Sequence, residues 1–182
     1  MVNVWIIVGE SNTRKSSTIR ALTGVRTQII YDIQMIGGTQ DKVLVIPSAL
    51  QEYYRVQPAA FISYISKDQY IPKFGLSGPP TTVQNWSPAK INNILICLRE
   101  FATAPTTTQP GCPDANAYIS GFIRAKWTIK SPIIYLNAGT PTFSLPPALV
   151  HHISPPPPVH LINPLQPTNA IAAAIRPLWD WV

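Results

Sequence analysis

The N-terminal segment VWIIVGESNTRKSSTIRALTG constrains the fold more than any other part of the chain. Residues 3–8 are continuously apolar, which predicts a strand covered on both faces. A polar loop follows Gly9, and Lys15–Thr23 then predicts a helix that ends at Gly24, a typical left-handed cap. A buried strand that leads through a short polar loop into a helix is typical of an α/β protein with an anion site at the helix N-terminus.

The rest of the chain continues this alternation of strands and helices. Further strands are predicted at 28–33, 42–47, 92–98, 132–136 and 159–162, and further helices at 57–66, 113–127 and 169–176. Thr168 is a candidate cap of the last helix, and Pro177 is expected to end or kink it. The pattern predicts one layered α/β domain, residues 1–182, with a largely parallel sheet.

One connection departs from the parallel pattern. Only residues 34–41, which include Gly37 and Gly38, separate the second and third strands. A parallel crossover needs a dozen residues or more, whereas a hairpin needs only a few. The second strand is therefore predicted to be an antiparallel edge. The segments 72–90 and 101–112 are predicted to be long loops. In the proline-rich stretch 141–158, the run 155–158 is predicted to be extended and non-helical.

The loop after the first strand resembles the Walker A motif, G-x-x-x-x-G-K-[ST], of the P-loop NTPases. The resemblance implies that Lys15 contacts the β- and γ-phosphates of a nucleoside triphosphate and that the Ser16 hydroxyl binds its Mg²⁺. Arg14 replaces the second glycine; it adds a phosphate-binding charge but is strained if the backbone needs positive φ. The residues expected to bind the nucleotide here are Gly9, Glu10, Ser11, Asn12, Thr13, Arg14, Lys15, Ser16 and Ser17.

The order of predicted elements is similar to that of the small GTPases. This resemblance implies a three-layer P-loop NTPase-like fold, with a mostly parallel six-stranded sheet and an antiparallel edge strand. Residues 48–52 fall where that family carries D-x-x-G, but the aspartate and glycine are absent. Asn137 is the only match to the guanine-reading N-K-x-D sequence. ATP and GTP therefore both remain candidate nucleotides.

Acidic residues at strand ends are the candidate ligands of Mg²⁺ besides Ser16. Glu52 is the first choice, because the third strand is expected to neighbour the first. Asp32 and Glu100 are the other candidates, although Asp32 faces away from the site if it lies in the middle of the edge hairpin. Gln51 is a candidate for positioning an attacking water, since the small GTPases use a glutamine near this point.

The net charge of +6 favours an anionic partner: a nucleotide, a nucleic acid or an acidic protein. Arg124, Lys126 and Lys130 lie near Phe122 and Trp127, and basic residues among aromatic ones can bind single-stranded nucleic acid. Simple packing of these two rings explains the same pattern, as it does for Trp179 and Trp181 near the C-terminus.

No membrane partner, metal-binding cysteine pair or histidine cluster is expected, and a reducing, cytoplasmic location suits the two cysteines. Three functions stay open on the sequence alone. The chain is an enzyme that hydrolyses or transfers the terminal phosphate of a nucleotide, a nucleotide-binding or scaffold module without efficient turnover, or a basic nucleic-acid-binding domain.

Overall fold

The backbone alternates strands and helices, as the sequence predicts. A computed structural model describes residues 1–74, 92–137, 141, 149–153 and 166–182. The strands are β1 (Asn3–Gly9), β2 (Ile29–Gln34), β3 (Gln40–Val45), β4 (Asn93–Arg99), β5 (Thr128–Ile129), β6 (Ile133–Tyr135) and β7 (Val150–His152). The α-helices are α1 (Lys15–Thr23), α2 (Pro58–Ser66), α3 (Ala115–Arg124) and α4 (Gln166–Leu178), and a π-helical turn spans Leu50–Tyr54.

The strands form one mixed sheet in the order β2-β3-β4-β1-β6-β7. β5 pairs with Asn3 and Val4 of β1, and β6 pairs with Ile7 and Val8, so β5 and β6 act as two parts of one interrupted strand. Within the described residues, β2 and β3 are antiparallel and the other ladders are parallel. The predicted α/β class, the mostly parallel sheet and the antiparallel edge hairpin are confirmed.

The predicted neighbour of the first strand is wrong. β4, not β3, pairs with β1, in a register that runs from Asn3↔Asn93 to Gly9↔Arg99. The residues of β4 are buried up to Leu98, as a central position requires. β3 begins with polar residues, Gln40 to Lys42, that are largely exposed, so it suits a place near the edge. In its ladder with β4, the paired residues are Leu44 and Val45.

Helices cover both faces of the sheet, giving helix, sheet and helix layers. Alternate residues of β1 enter opposite cores, Val4, Ile6 and Val8 on one face and Trp5 and Ile7 on the other. The first core contains Phe61 and Ile65 of α2 and Tyr118 and Phe122 of α3. The second contains Ile19 and Leu22 of α1 and Ile171 and Ile175 of α4.

The helices match the prediction best where local signals mark their ends. α1 has the predicted bounds, and Gly24 caps it with φ of 72°. α4 begins before the prediction, so Thr168 lies inside the helix, 2% exposed, rather than at its cap. Pro177 also lies inside α4, which ends one residue later. The strand predicted at 159–162 and most of the loop predicted at 72–90 lie outside the described residues.

The aromatic residues that suggested a nucleic-acid surface are packed in the fold. Phe122 is fully buried and stacks on Trp127 with ring centroids 5.1 Å apart and an interplanar angle of 12°. Trp179 and Trp181 are 3% and 2% exposed, so the packing interpretation is confirmed for both pairs. No helix in the part of the chain that the structure describes has the length and apolarity to cross a membrane.

Candidate phosphate-binding site

The loop after β1 lies where parallel α/β sheets bind their ligands. β1, β4 and β6 are parallel and end together at Gly9, Arg99 and Tyr135, and α1 starts at Lys15. Ligands of open α/β sheets bind outside these carboxyl ends. The sequence-predicted loop, residues 9–17, therefore occupies the position expected of a ligand site in this class of fold.

Gly9 lets the loop turn close to the end of β6. A Cβ atom at this position would lie 2.7 Å from the backbone oxygen of Leu136 and 2.5 Å from the Oγ1 of Thr13. Thr13 is itself held in place, since its hydroxyl donates a hydrogen bond of 2.8 Å to the Glu10 carbonyl. A side chain at position 9 would push the loop away from the sheet.

The backbone is left-handed at the position of the missing second glycine. Arg14 has φ of 68° and Asn12 has φ of 64°, values that L-residues adopt at a cost and glycine adopts freely. The predicted strain at Arg14 is therefore present. Arg14 is also the N-cap of α1, and its own side chain makes no capping hydrogen bond. The first N–H groups of a helix have no partner within the helix and carry partial positive charge, so the N-terminus of α1 favours an anion.

Lys15 is a buried cation whose side chain contacts the loop after β1. Its side chain is 3% exposed, and Nζ donates a hydrogen bond of 2.5 Å to the Glu10 carbonyl. Burial lowers the pKa of Lys15 below its ordinary value of 10.5, the nearby acidic groups Cys97, Glu52 and Glu10 oppose this change, and the Arg99 charge adds to it. The residue predicted to contact phosphate therefore lies within the loop.

Glu52 lies at the loop, although the reason given for choosing it was wrong. The π-helical turn after β3 carries it there, and its Oε1 accepts a hydrogen bond of 2.8 Å from the Ser11 hydroxyl. The Ser16 hydroxyl lies on the floor of the site, 3.9 Å from the buried thiol of Cys97. A cavity of about 130 Å³ is lined by Asn12, Arg14, Lys15, Ser16, Ser17, Glu52 and Tyr53.

Asp32 and Gln51 are placed elsewhere. Asp32 lies on the exposed hairpin, three strands from β1, and forms a 2.9 Å ion pair with Lys42. Gln51 is fully buried: its Nε2 donates to the carbonyls of Arg99 and Pro113, at 2.8 and 3.2 Å, and its Oε1 accepts from the Arg99 N–H at 2.8 Å. These bonds tie the π-helical turn to the end of β4, which is a structural role.

Asn137 lies beside a buried carboxylate at the end of the sheet. The Glu100 carboxylate, 2% exposed, accepts a hydrogen bond of 2.7 Å from the Tyr135 hydroxyl and one of 3.4 Å from the Asn137 amide. Burial, with the bond to Glu100, raises the pKa of Tyr135 to about 12. The tyrosine therefore remains a hydrogen-bond donor and fixes the orientation of Glu100.

Two residues near the loop were missed by the sequence analysis. Arg99 lies opposite Gly9 in the β1–β4 ladder, and its Nη2 is 3.7 Å from the Glu10 carboxylate. Tyr53 is 43% exposed, lines the small cavity, and has the Lys73 ammonium 5.1 Å from its ring centroid. A basic residue that ends a long apolar run was the one available signal for Arg99; Tyr53 carried none.

A second, larger cavity of about 500 Å³ lies between α1 and α4. Its wall includes Ser17, which also lines the small cavity, and two exposed arginines. Its described lining is Ser17, Arg20, Ala21, Gly24, Arg26, Thr168 and Asn169.

The described histidine, cysteine and acidic side chains do not form a metal-binding cluster. Among the described residues, no group of three or more histidine, cysteine, aspartate or glutamate side chains is arranged to hold a metal ion. Cys97 and Cys112 are both buried free thiols, and burial raises the pKa of Cys97 to about 12. Cys97 is therefore not a reactive thiolate at neutral pH.

Comparison with known proteins does not assign a function to this chain, so a functional proposal is based on the geometry of the site. No family model, no curated protein and no solved structure matches the chain.

Proposed function

We propose that this protein binds the phosphates of a nucleoside triphosphate, ATP or GTP, through a P-loop formed by residues 9–17. The observation that carries the proposal is the position of Lys15, a buried cation inside a loop at the carboxyl end of a central parallel strand. Its one described hydrogen bond goes to a neutral carbonyl. An ammonium group has three donors, so an anion in the adjoining cavity would gain a charged partner.

The backbone of the loop supports the same ligand. The N-terminus of α1 carries partial positive charge, and its first turn contains no acidic residue. Arg14 adds a formal positive charge at the rim of the cavity. Helix N–H groups, a lysine and an arginine are the components with which proteins bind phosphate groups.

Ser16 and Glu52 fit the magnesium ion expected with a nucleotide. Both line the same cavity and both supply oxygen ligands, which Mg²⁺ prefers, together with phosphate oxygens and waters. When bound, the ion would neutralise phosphate charge and so offset the repulsion between phosphate and Glu52. Asp32, paired with Lys42 on the hairpin, does not fit as a ligand.

The nucleoside has space in the larger cavity. The small cavity, about 130 Å³, accommodates only part of a nucleotide, whereas pockets for small molecules usually measure about 300–1,000 Å³. Ser17 lines both the small cavity and the cavity of about 500 Å³ between α1 and α4. A nucleotide with its phosphates on the loop therefore extends along α1.

A binding module with slow or no hydrolysis is the second candidate function, and Gln51 favours it. Both ends of its amide are hydrogen bonded to backbone, so it does not reach a water beside the terminal phosphate. The nucleic-acid alternative has less support, because Phe122 and Trp127 stack on each other in the fold.

Calorimetric titration of ATP and GTP with Mg²⁺ tests the proposal. Lys15→Met, which keeps the length of the side chain and removes its charge, is expected to weaken binding at least about tenfold. Lys126→Met, at an exposed lysine after α3, is the matched control and should bind like the wild type. Absence of binding by the wild type at millimolar nucleotide, or unchanged binding by Lys15→Met, would refute the proposal. Phosphate release measured in parallel decides between hydrolase and binding module.

A further inference from the structure

The geometry points to Arg99 as a second phosphate-binding cation, which exchanges its ion pair with Glu10 for the terminal phosphate of a bound triphosphate. This inference rests on the proposed function and adds to it a means of distinguishing nucleoside triphosphate from diphosphate. It assigns to Arg99 a role that the loop sequence alone does not indicate.

The register of the sheet places Arg99 beside the loop. Arg99 is paired with Gly9, the residue at which β1 enters the loop. Side chains alternate along a strand, so Arg99 shares its face of β4 with Cys97, two residues earlier. The Cys97 thiol lies 3.9 Å from the Ser16 hydroxyl in the first turn of α1. Arg99 therefore extends past the end of the sheet on the side where α1 and its loop lie.

The present partner of Arg99 is weak. Nη2 is 3.7 Å from the Glu10 carboxylate, and the two side chains are 29% and 27% exposed. Nε is buried and has no hydrogen-bond partner among the described residues. A guanidinium has five N–H donors in a planar fork, so the Arg99 side chain has donors available for a further acceptor. Phosphate oxygens form shorter, bidentate bonds with such a group.

The charges around the loop favour an anion between the two cations. Arg99 lies close enough to Lys15 to contribute to the lowered pKa of the lysine, so the two positive charges repel each other. The Glu10 carboxylate offsets this repulsion only partly, because it lies 3.7 Å from the guanidinium. A phosphate group held between Lys15 and Arg99 would attract both and would replace Glu10 as the partner of the arginine.

The backbone of Arg99 is fixed while its side chain is left to reorient. Gln51 binds both the N–H and the carbonyl of Arg99 at 2.8 Å. Fixed anchoring near a site reduces the reorganisation needed to stabilise charge there. The exchange of Arg99 between carboxylate and phosphate therefore requires only rotation of its side chain.

The test compares ATP with ADP, and GTP with GDP, by calorimetry in the presence of Mg²⁺. Arg99→Ala is expected to lose at least about tenfold in triphosphate affinity and less than about twofold in diphosphate affinity. Arg99→Lys, a point charge without the bidentate fork, should retain part of the preference for triphosphate. Arg124→Ala removes an exposed arginine at the end of α3 and is the matched control.

Glu10→Gln tests the exchange without removing Arg99. Freed from its carboxylate partner, the arginine should bind triphosphate about threefold more tightly, with little change for diphosphate. This variant and Arg99→Lys keep the inference falsifiable if Arg99→Ala proves unfolded by circular dichroism.

The outcomes separate this inference from the proposed function. Loss of binding in Lys15→Met with unchanged triphosphate preference in the Arg99 variants and Glu10→Gln would refute the role of Arg99 and leave the P-loop proposal standing. Equal losses for triphosphate and diphosphate in both Arg99 variants would also refute it, because they would indicate a contact elsewhere on the nucleotide. Wild-type protein that binds none of the four nucleotides would refute both.

Discussion

Arg14 takes a backbone conformation that suits glycine. Its φ of 68° is left-handed, which costs an L-residue roughly 1–2 kcal/mol. Glycine would relieve this strain, but part of the stabilisation would be offset because glycine makes the unfolded chain more flexible. We therefore expect Arg14→Gly to be about 1 kcal/mol more stable than Arg14→Ala, which keeps the strain and also lacks the charge. Urea unfolding at neutral pH measures the difference, and equal stabilities of the two variants would contradict a strained residue 14.

Lys15 should make stability depend on alkaline pH. Because burial lowers its pKa in the folded protein below 10.5, the unfolded chain binds more protons in the window between the lowered pKa and 10.5. Stability conferred through this residue therefore rises with pH across that window. Lys15→Met, which carries no buried charge, should be more stable than the wild type at neutral pH, and this advantage should shrink as the pH approaches 10.5.

The comparison of unfolding free energies between Lys15→Met and the wild type isolates this one group. Tyrosines and other lysines titrate in both proteins and cancel in the difference. A difference that stays constant between pH 7 and 10.5 would show that the Lys15 ammonium is not destabilised by burial.

At the scale of elements, the contact between the ends of β1 and β6 sets the shape of the loop. A Cβ on Gly9 would lie 2.7 Å from the Leu136 carbonyl oxygen. This distance is too short for a van der Waals contact, so the backbone of the loop or of Leu136 would have to shift. We expect Gly9→Ala to destabilise the protein by about 1–3 kcal/mol and to weaken nucleotide binding. Gly37→Ala, in the hairpin turn with nothing within 4 Å of the added Cβ, is the control and should stay within about 0.5 kcal/mol of the wild type. Thermal and urea unfolding measure both; a tolerated Gly9→Ala would refute the close approach.

Individual elements followed from local signals in the sequence. α1 has its predicted bounds because a polar loop and Gly24 mark its two ends. The antiparallel hairpin followed from the length of the connection between β2 and β3 alone. The start of α4 was predicted too late, because Thr168 resembles a cap but is buried inside the helix. A capping residue in the sequence does not show whether the residues before it also form a helical turn.

At the scale of the whole molecule, strand order was beyond what the sequence could predict. A continuously apolar strand is predicted to lie in the middle of the sheet, and both β1 and β4 have this pattern. The pattern does not say which strands are neighbours. Pairing between β1 and β4 brought Arg99 to the loop, a contact between residues far apart in sequence. Asp32 failed as a candidate ligand for the same reason, since its distance from the site is measured across three strands. The loop itself was predictable because its residues are contiguous.

The C-terminal residues close the core that also supports α1. Trp181 lies with its ring centroid 5.4 Å from that of Trp5 and 5.0 Å from that of Trp179, and it bridges to Met35 beside β2. One end of the chain therefore joins the central strand to the edge hairpin, while α4 packs on α1 and Arg176 donates to the Leu22 carbonyl at 2.9 Å. A cavity left at residue 181 would remove the ring contacts with Trp5 and Trp179.

We expect Trp181→Ala to lower the free energy of unfolding by about 3–5 kcal/mol, since it removes a large buried ring. The indole Nε1 is buried without a hydrogen-bond partner in the described residues. Trp181→Phe keeps an aromatic ring and removes that unpaired donor, so it should lose less than about 2 kcal/mol. Equilibrium urea unfolding of the three proteins distinguishes the two effects. If Trp181→Ala loses less than about 1 kcal/mol, the C-terminal tail is not docked as described, and the support that α4 gives to α1 and the loop must come from elsewhere.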